Sequence, residues 1–288
     1  MIKTSMQLKA LVRNMSKSNS EKAQALLRHY AMERFLERLS VSNYKDNLIL
    51  KGGTLISSII GLNSRTTLDV DTTLKGQSLT EDNVRSIVDD IININLDDGM
   101  SFKVKKVETI MDESDYPGIR VKLKSFLDKM NTPFKIDFSA GDVITPREIS
   151  YSYKLLFEER SISVLAYNIE TILAEKLESV ISRGILNSRM RDYYDLFIFE
   201  TTLTPNIDFI LLKEALTNTS NHRGTLSKIN DMELILTEIK NDSDMKNHWS
   251  DYQKRFEYAI NINFADTVQA IERLFDKLDW IESGGESL

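Results

Sequence analysis

Residues 48–74, LILKGGTLISSIIGLNSRTTLDVDTTL, decide how the rest of the chain is read. Leu48, Ile49 and Leu50 form an aliphatic run too short for a helix, closed by Gly52-Gly53, which predicts a strand ending in a sharp turn. Two glycines let bare backbone N–H groups come close to a ligand. Thr54 stands where an N-cap would, ahead of the apolar pairs Leu55-Ile56 and Ile59-Ile60, so a brief helix is expected. A helix start offers unpaired N–H groups and the positive end of its dipole, which suit phosphate. A second strand follows, with Leu68 and Val70 on one face and Asp69 and Asp71 on the other. Two carboxylates about 7 Å apart along one strand repel each other unless a cation lies between them. Mg2+ suits carboxylate and phosphate oxygens best. Asp-x-Asp also occurs on solvated edges, and Gly-Gly in ordinary turns. The order strand, Gly-Gly-Thr, helix, two-acid strand is what points to a phosphate-and-metal site.

The rest of the first half supplies partners for that strand. Thr80 to Ile92 reads as a helix capped by Thr80, with Val84, Ile87, Val88, Ile91 and Ile92 as its apolar stripe. Phe102 to Ile110 is β-rich, and two alternating segments follow. Ile119, Val121 and Leu123 point inward against Arg120, Lys122 and Lys124. Phe134, Ile136 and Phe138 oppose Lys135, Asp137 and Ser139. Asp137 joins Asp69 and Asp71 on one sheet face if the strands are neighbours. Three carboxylates so placed match a divalent-metal phosphoryl-transfer site, whose two metals lie about 3.5–4 Å apart. A solvated strand-end acid is the competing reading, because one sequence does not reveal register. Upstream, Ser20 to Leu39 is expected to be a core-packing helix with a solvated side, with Arg28, Arg34 and Arg38 lying among its apolar residues.

Composition limits the classes available. The chain has 288 residues, 41% of them hydrophobic, which is enough for a sizeable core and excludes wholesale disorder. There is no cysteine, hence no disulfide and no thiolate zinc site, and His29, His222 and His248 are too scattered for a metal cluster. A net charge of −6 argues against a generally nucleic-acid-coating surface, so RNA or DNA would need a local basic patch. No stretch reads as a membrane span and the N-terminus lacks an apolar signal core, so a cytoplasmic protein, taken as a monomer, is expected. A boundary is expected between Asp142 and Tyr167, giving residues 1–160 as an N-terminal domain and 161–288 as a mainly helical C-terminal domain. The final SGGESL is expected to fray.

The second half has one dense region, NIETILAEKLESVISRG followed by ILNSRMRDYYDLFIFE. Ile169, Ile172, Leu173, Leu177, Val180 and Ile181 make a helical stripe, ended by Gly184 as C-cap. Lys176 and Arg183 share a face, and Asp192 and Asp195 lie one turn apart among Arg189, Arg191, Tyr193, Tyr194 and Phe197. A lysine there can meet a triphosphate as a point charge. An acid near a helix start is also favoured by the dipole alone, so Asp192 has a purely structural reading too.

KGGTLISSIIGLNSRTTLDVD, then AEKLESVISRG, then SRMRDYYDLF resembles the AbiEii family, in the family's order and over about Lys51 to Phe199. These are nucleotidyltransferase-like toxins of type IV toxin–antitoxin and phage abortive-infection systems, within the DNA polymerase β-like superfamily. The resemblance implies an α+β fold: a nucleotidyltransferase-like mixed sheet with flanking helices, then a helical C-terminal domain facing it across a cleft. It implies that Gly53 and Thr54 match the phosphate motif, Asp69 and Asp71 the metal-binding acids, Lys176 the lysine of the third motif, and Asp192 or Asp195 the acid of the fourth. Thr54 replaces a serine but keeps the hydroxyl, and the gap to Asp69 is longer than the commonest superfamily spacing. The resemblance further implies a nucleoside triphosphate substrate, GTP or a pyrimidine triphosphate, and an acceptor such as the tRNA 3′ end. It implies an antitoxin encoded nearby that acts without a stable complex.

Together the two lines give a working expectation. Gly52, Gly53 and Thr54 hold the triphosphate, with Arg65 as an extra ligand, and Asp69, Asp71 and Asp137 bind Mg2+. Lys176 reaches the phosphates, and Asp192 or Asp195 orients a sugar, a base or Lys176 itself. A basic rim of Arg120, Lys122 and Lys124, or of Arg183, Arg189 and Arg191, guides RNA. Two other classes stay open: a nucleotide-binding toxin without transfer, and a transferase acting on protein hydroxyls.

Overall fold

The computed structural model describes residues 2–62, 64–111 and 117–280, so the terminal SGGESL lies outside the described residues. The chain divides into two compact units: residues 1–142 with 148–167, and residues 143–147 with 168–288. Among the described residues no helix is long and apolar enough to cross a membrane.

The first unit runs α1 (Ser5–Ser16), α2 (Ser20–Ser40), β1 (Leu48–Lys51), α3 (Gly52–Ile60), β2 (Asp69–Leu74), α4 (Glu81–Ile92), β3 (Met100–Met111), β4 (Pro117–Leu127), β5 (Met130–Ala140), β6 (Ile149–Lys154) and β7 (Ser161–Ala166). The strands form one mixed sheet in the order β3-β4-β5-β2-β1-β7-β6. β2 runs parallel to β5 and β1 parallel to β7, and the other pairs are antiparallel. Register puts Val70, Ile136 and Val121 side by side, all with no exposure. They define the apolar face, and α2 lies over it, with the Phe35 ring 6.5 Å from that of Phe134. Each such side chain contributes about 1.5–3 kcal/mol on burial. The next residue along each strand therefore faces the other way, and that alternation builds the site.

The border between the units follows Tyr167 rather than residue 160. β7 pairs with β1, and the Tyr167 N–H donates to the Leu50 carbonyl at 3.0 Å, so the strand after residue 160 belongs to the first unit. α4 starts as expected, with Thr80 accepting from the Asn83 N–H. α2 is core-packing as expected, and charged residues are buried within it: Arg34 is 0% and Arg38 1% exposed. Arg38 donates two hydrogen bonds to Asp98, at 2.8 and 2.7 Å, and Arg34 pairs with Glu37 and Glu158. Buried guanidinium groups persist only when carboxylates neutralise them, as these do.

The second unit contains α5 (Ile169–Arg183), α6 (Met190–Leu203), α7 (Phe209–His222), α8 (Leu226–Asn230), α9 (Met232–Asn241), α10 (Ser243–Arg255) and α11 (Phe264–Asp276). Asn168 caps α5 through the Thr171 N–H, and Gly184 ends it at φ 53°. Leu173, Leu177, Val180, Leu196, Phe199, Ile271 and Leu274 fill the core between α5, α6 and α11. The short segment 143–147 is fastened to α5, where the Thr145 carbonyl accepts from Asn168 Nδ2 at 2.7 Å.

Candidate active site

One row of side chains crosses five strands on the face opposite the apolar one. β-Pairing places Glu108 (β3) opposite Arg120 (β4), Arg120 opposite Asp137 (β5), Asp137 opposite Asp71 (β2), and Asp71 opposite Lys51 (β1). Directly opposed residues share a face, with Cβ atoms about 4.5–5.5 Å apart. Asp69, two residues before Asp71, joins them. The carboxylates of Asp69, Asp71 and Asp137 each offer an oxygen, and these atoms lie within 4.8 Å of one another. The register that the sequence left open therefore does bring Asp137 to the other two acids.

The double glycine fits this arrangement closely. Gly52 has φ +62°, and a Cβ there would lie 2.1 Å from Asp71 Oδ2. Only glycine meets both demands. A Cβ at Gly53 would lie 2.6 Å from Thr67 Oγ1. α3 starts at Gly52, with Lys51 as its N-cap residue. Thr54 is consequently the third residue of the helix and not its N-cap. Its fully buried hydroxyl donates to the Asp69 carbonyl at 2.6 Å, which ties the helix to the two-acid strand. The open cap is served by Asp71, whose Oδ2 accepts from the Gly53 N–H at 3.0 Å. A carboxylate at a helix N-terminus is favoured by the dipole and the unpaired donors. Arg65, 3% exposed, donates to the Thr66 carbonyl at 2.6 Å, with Nη2 3.4 Å from where a Gly53 Cβ would be.

Electrostatics single out Asp71. Burial, then the neighbouring charges of Asp69 and Asp137, push its pKa up to about 7, against the pull of the Gly53 N–H and Lys51. Three clustered acids of this kind are a donor set compatible with an oxygen-seeking divalent cation. Sequence reading missed the flanking cations. Lys51 Nζ lies 2.7 Å from Asp142 Oδ2, which also accepts from Ser139 Oγ at 2.6 Å. Burial tends to raise the Asp142 pKa, but the Lys51 charge and these hydrogen bonds hold it well below the usual carboxylate range. The only signal for Lys51 was its place directly before Gly52-Gly53.

Two of the three outward cations expected to form a basic rim on β4 pair with acids on the sheet. Arg120 grips Asp137 with two hydrogen bonds, Nε to Oδ1 at 2.8 Å and Nη2 to Oδ2 at 2.6 Å. Lys122 pairs with Glu108. In the second unit, Arg191 stacks over the Phe256 ring at 5.2 Å.

The second unit holds its own constellation. Lys176 on α5 lies 2.5 Å from Asp192 Oδ1 and 2.9 Å from Asp195 Oδ2, both on α6. The lysine and Asp192 are 13% and 12% exposed, and Asp195 is fully buried. Burial pulls the lysine pKa down, but the two carboxylates outweigh it and raise the pKa, so Lys176 stays cationic at neutral pH. An ammonium has three donors, and these acids take two of them. Both Asp192 and Asp195 therefore pair with Lys176.

A sheet of this order with paired acids on β2 behind a glycine-rich helix start defines the nucleotidyltransferase class. The chain belongs to the AbiEii family: the family model described as nucleotidyl transferase AbiEii toxin, type IV TA system, matches residues 34–277. It is a nucleotidyltransferase toxin, and membership implies a nucleoside triphosphate substrate and an antitoxin partner. Among solved structures it is similar to MenT4, a nucleotidyltransferase toxin from Mycobacterium tuberculosis H37Rv, at 17% identity and TM-score 0.57, covering 94% of this chain and 97% of that one. It is also similar to a putative nucleotidyltransferase from H. pylori, at 18% identity and TM-score 0.47, covering 89% and 98%. JHP933 from Helicobacter pylori matches at 16% identity and TM-score 0.47, covering 88% and 93%. No curated protein matches.

Proposed function

We propose that the protein transfers a nucleoside monophosphate from a nucleoside triphosphate, GTP or a pyrimidine triphosphate, to the 3′ hydroxyl of an RNA, with the tRNA acceptor end as the preferred target, and so blocks translation. The carboxylate trio beside the Gly52 helix start carries this reading. The acceptor oxygen forms a bond to the α-phosphorus, the bond from that phosphorus to the bridging oxygen breaks, and pyrophosphate leaves with the electron pair. Gly52, Gly53 and Thr54 meet the triphosphate through the helix start, and Arg65 adds a cation beside Gly53. Thr54 serves through its backbone, because its hydroxyl positions Asp69. Asp69 and Asp71 would hold the divalent ion, with Asp137 as the third acid beside it; the ion's chemistry is to neutralise the reacting phosphates. The Lys176–Asp192–Asp195 trio is assigned to the same reaction because Lys176 matches the family's lysine and Asp192 or Asp195 its acid. Catalysis is then mainly positioning and electrostatic stabilisation.

The test is incubation with each of the four α-labelled triphosphates, Mg2+ and either total tRNA or cell protein. Label in tRNA with stoichiometric pyrophosphate supports the reading. Label in protein moves the acceptor to a side-chain hydroxyl. Binding of a triphosphate with no label in either product reduces the protein to a nucleotide-sequestering toxin.

A further inference from the structure

Arg120 is an unexpected neighbour for a metal site. Both oxygens of Asp137 are engaged by its guanidinium, at 2.8 and 2.6 Å. Such fork-on-fork pairs are among the strongest charge-assisted contacts in proteins. Charge matching along the row is specific. Lys51 is matched by Asp142 and Arg120 by Asp137. Two negative charges then remain, on Asp69 and Asp71, and one divalent cation neutralises two charges.

We propose that Arg120 is a positioning residue that sets how many divalent cations the trio accepts: while it holds Asp137 it supplies the charge of a second cation, and the site takes one, at Asp69 and Asp71. This rests on the metal-dependent reading above. A second ion at Asp137 would need to displace a cation already there, and like charges at that range repel strongly. Arg120 has somewhere to go. Glu108 stands directly opposite it on β3, on the same face, and now pairs with Lys106 and Lys122. Arg120 therefore lies between two carboxylates, one in the site and one outside it. Its side chain is 27% exposed, so the move needs no unpacking of the core.

Mn2+ titration of the full chain without nucleotide, followed by electron paramagnetic resonance, tests this. The wild type is expected to hold one Mn2+ per chain with no exchange coupling. Arg120→Gln is expected to bind a second Mn2+ about tenfold more tightly than the wild type does, about 1.4 kcal/mol, with a coupled two-ion spectrum. Adding Asp137→Asn to that variant should remove the second ion. Arg120→Lys keeps the charge but loses the two-point grip, and should tighten the second ion about threefold; it serves if Arg120→Gln does not fold. Two tightly held ions in the wild type, or unchanged second-ion affinity in both variants, overturn the proposal while leaving nucleotidyl transfer intact. A wild type that binds no Mn2+ overturns the metal-dependent reading itself, and this inference with it.

Discussion

Replacing Asp71 by Asn should stabilise the metal-free protein while abolishing transfer. Asp71 titrates at about 7 in the fold, against an ordinary 3.8. A carboxyl whose folded pKa lies above its unfolded one costs nothing below about pH 4, because it is protonated in both states. The cost grows as pH rises from 4 to 7 and is constant above 7. Three pKa steps of about 1.4 kcal/mol each give an upper bound of about 4 kcal/mol at pH 8. Residual hydration of a partly exposed site lowers this to about 1–3 kcal/mol. Asn keeps an acceptor for the Gly53 N–H and the same volume beside Gly52, so no new clash or orphaned donor arises. Urea unfolding in EDTA at pH 8 and pH 5 is the assay. The variant should unfold at higher urea at pH 8, with less than half that gain at pH 5. Added Mg2+ should stabilise the wild type and leave the variant unmoved. A variant less stable at pH 8, or a gain equal at both pH values, would refute the electrostatic argument.

Other consequences are equally direct. Gly52→Ala combines a left-handed backbone with a 2.1 Å approach to Asp71 Oδ2, and should cost at least about 2 kcal/mol and weaken Mn2+ binding, read by thermal unfolding and metal titration. Mg2+ binding must displace a proton from Asp71, so its apparent affinity should rise close to tenfold per pH unit up to about 7 and level off above, read by calorimetry. Lys176→Met leaves buried Asp195 and the largely buried Asp192 without this cation and should cost about 3–5 kcal/mol at pH 8, with partial recovery in the double variant carrying Asp195→Asn. Thr54→Val loses the hydrogen bond to the Asp69 carbonyl and should cost about 1–3 kcal/mol, while KM for the triphosphate changes less than about threefold.

Much of the fold was legible because its signals are periodic. The alternation in β4 and β5, the stripe of α4 and the stripe of α5 each follow from which residues must leave water, and the structure repeats them. The acids of β2 were visible for the same reason. What sequence reading missed depends on distance along the chain. Arg34 and Arg38 carried no sign of their buried pairing with Glu158 and Asp98, which lie 124 and 60 residues away. Lys51 and Asp142 are 91 residues apart, so neither announced the other. Thr54 was misplaced by a local rule: a hydroxyl before an apolar run suggests a cap, but the helix starts three residues sooner, at Gly52. Arg120 looked like rim because its alternation points it outward, and only register shows Asp137 beside it.

The central claim is that the carboxylates of β2 and the lysine of α5 serve one transfer reaction. The most direct measurement is the rate of label transfer from the preferred triphosphate to tRNA by the wild type, Asp69→Asn, Asp71→Asn and Lys176→Gln paired with Asp195→Asn, each first shown to be folded. Loss of about a hundredfold or more in every variant is predicted. Transfer by the Lys176 variant at the wild-type rate, with the two β2 variants inactive, would contradict it.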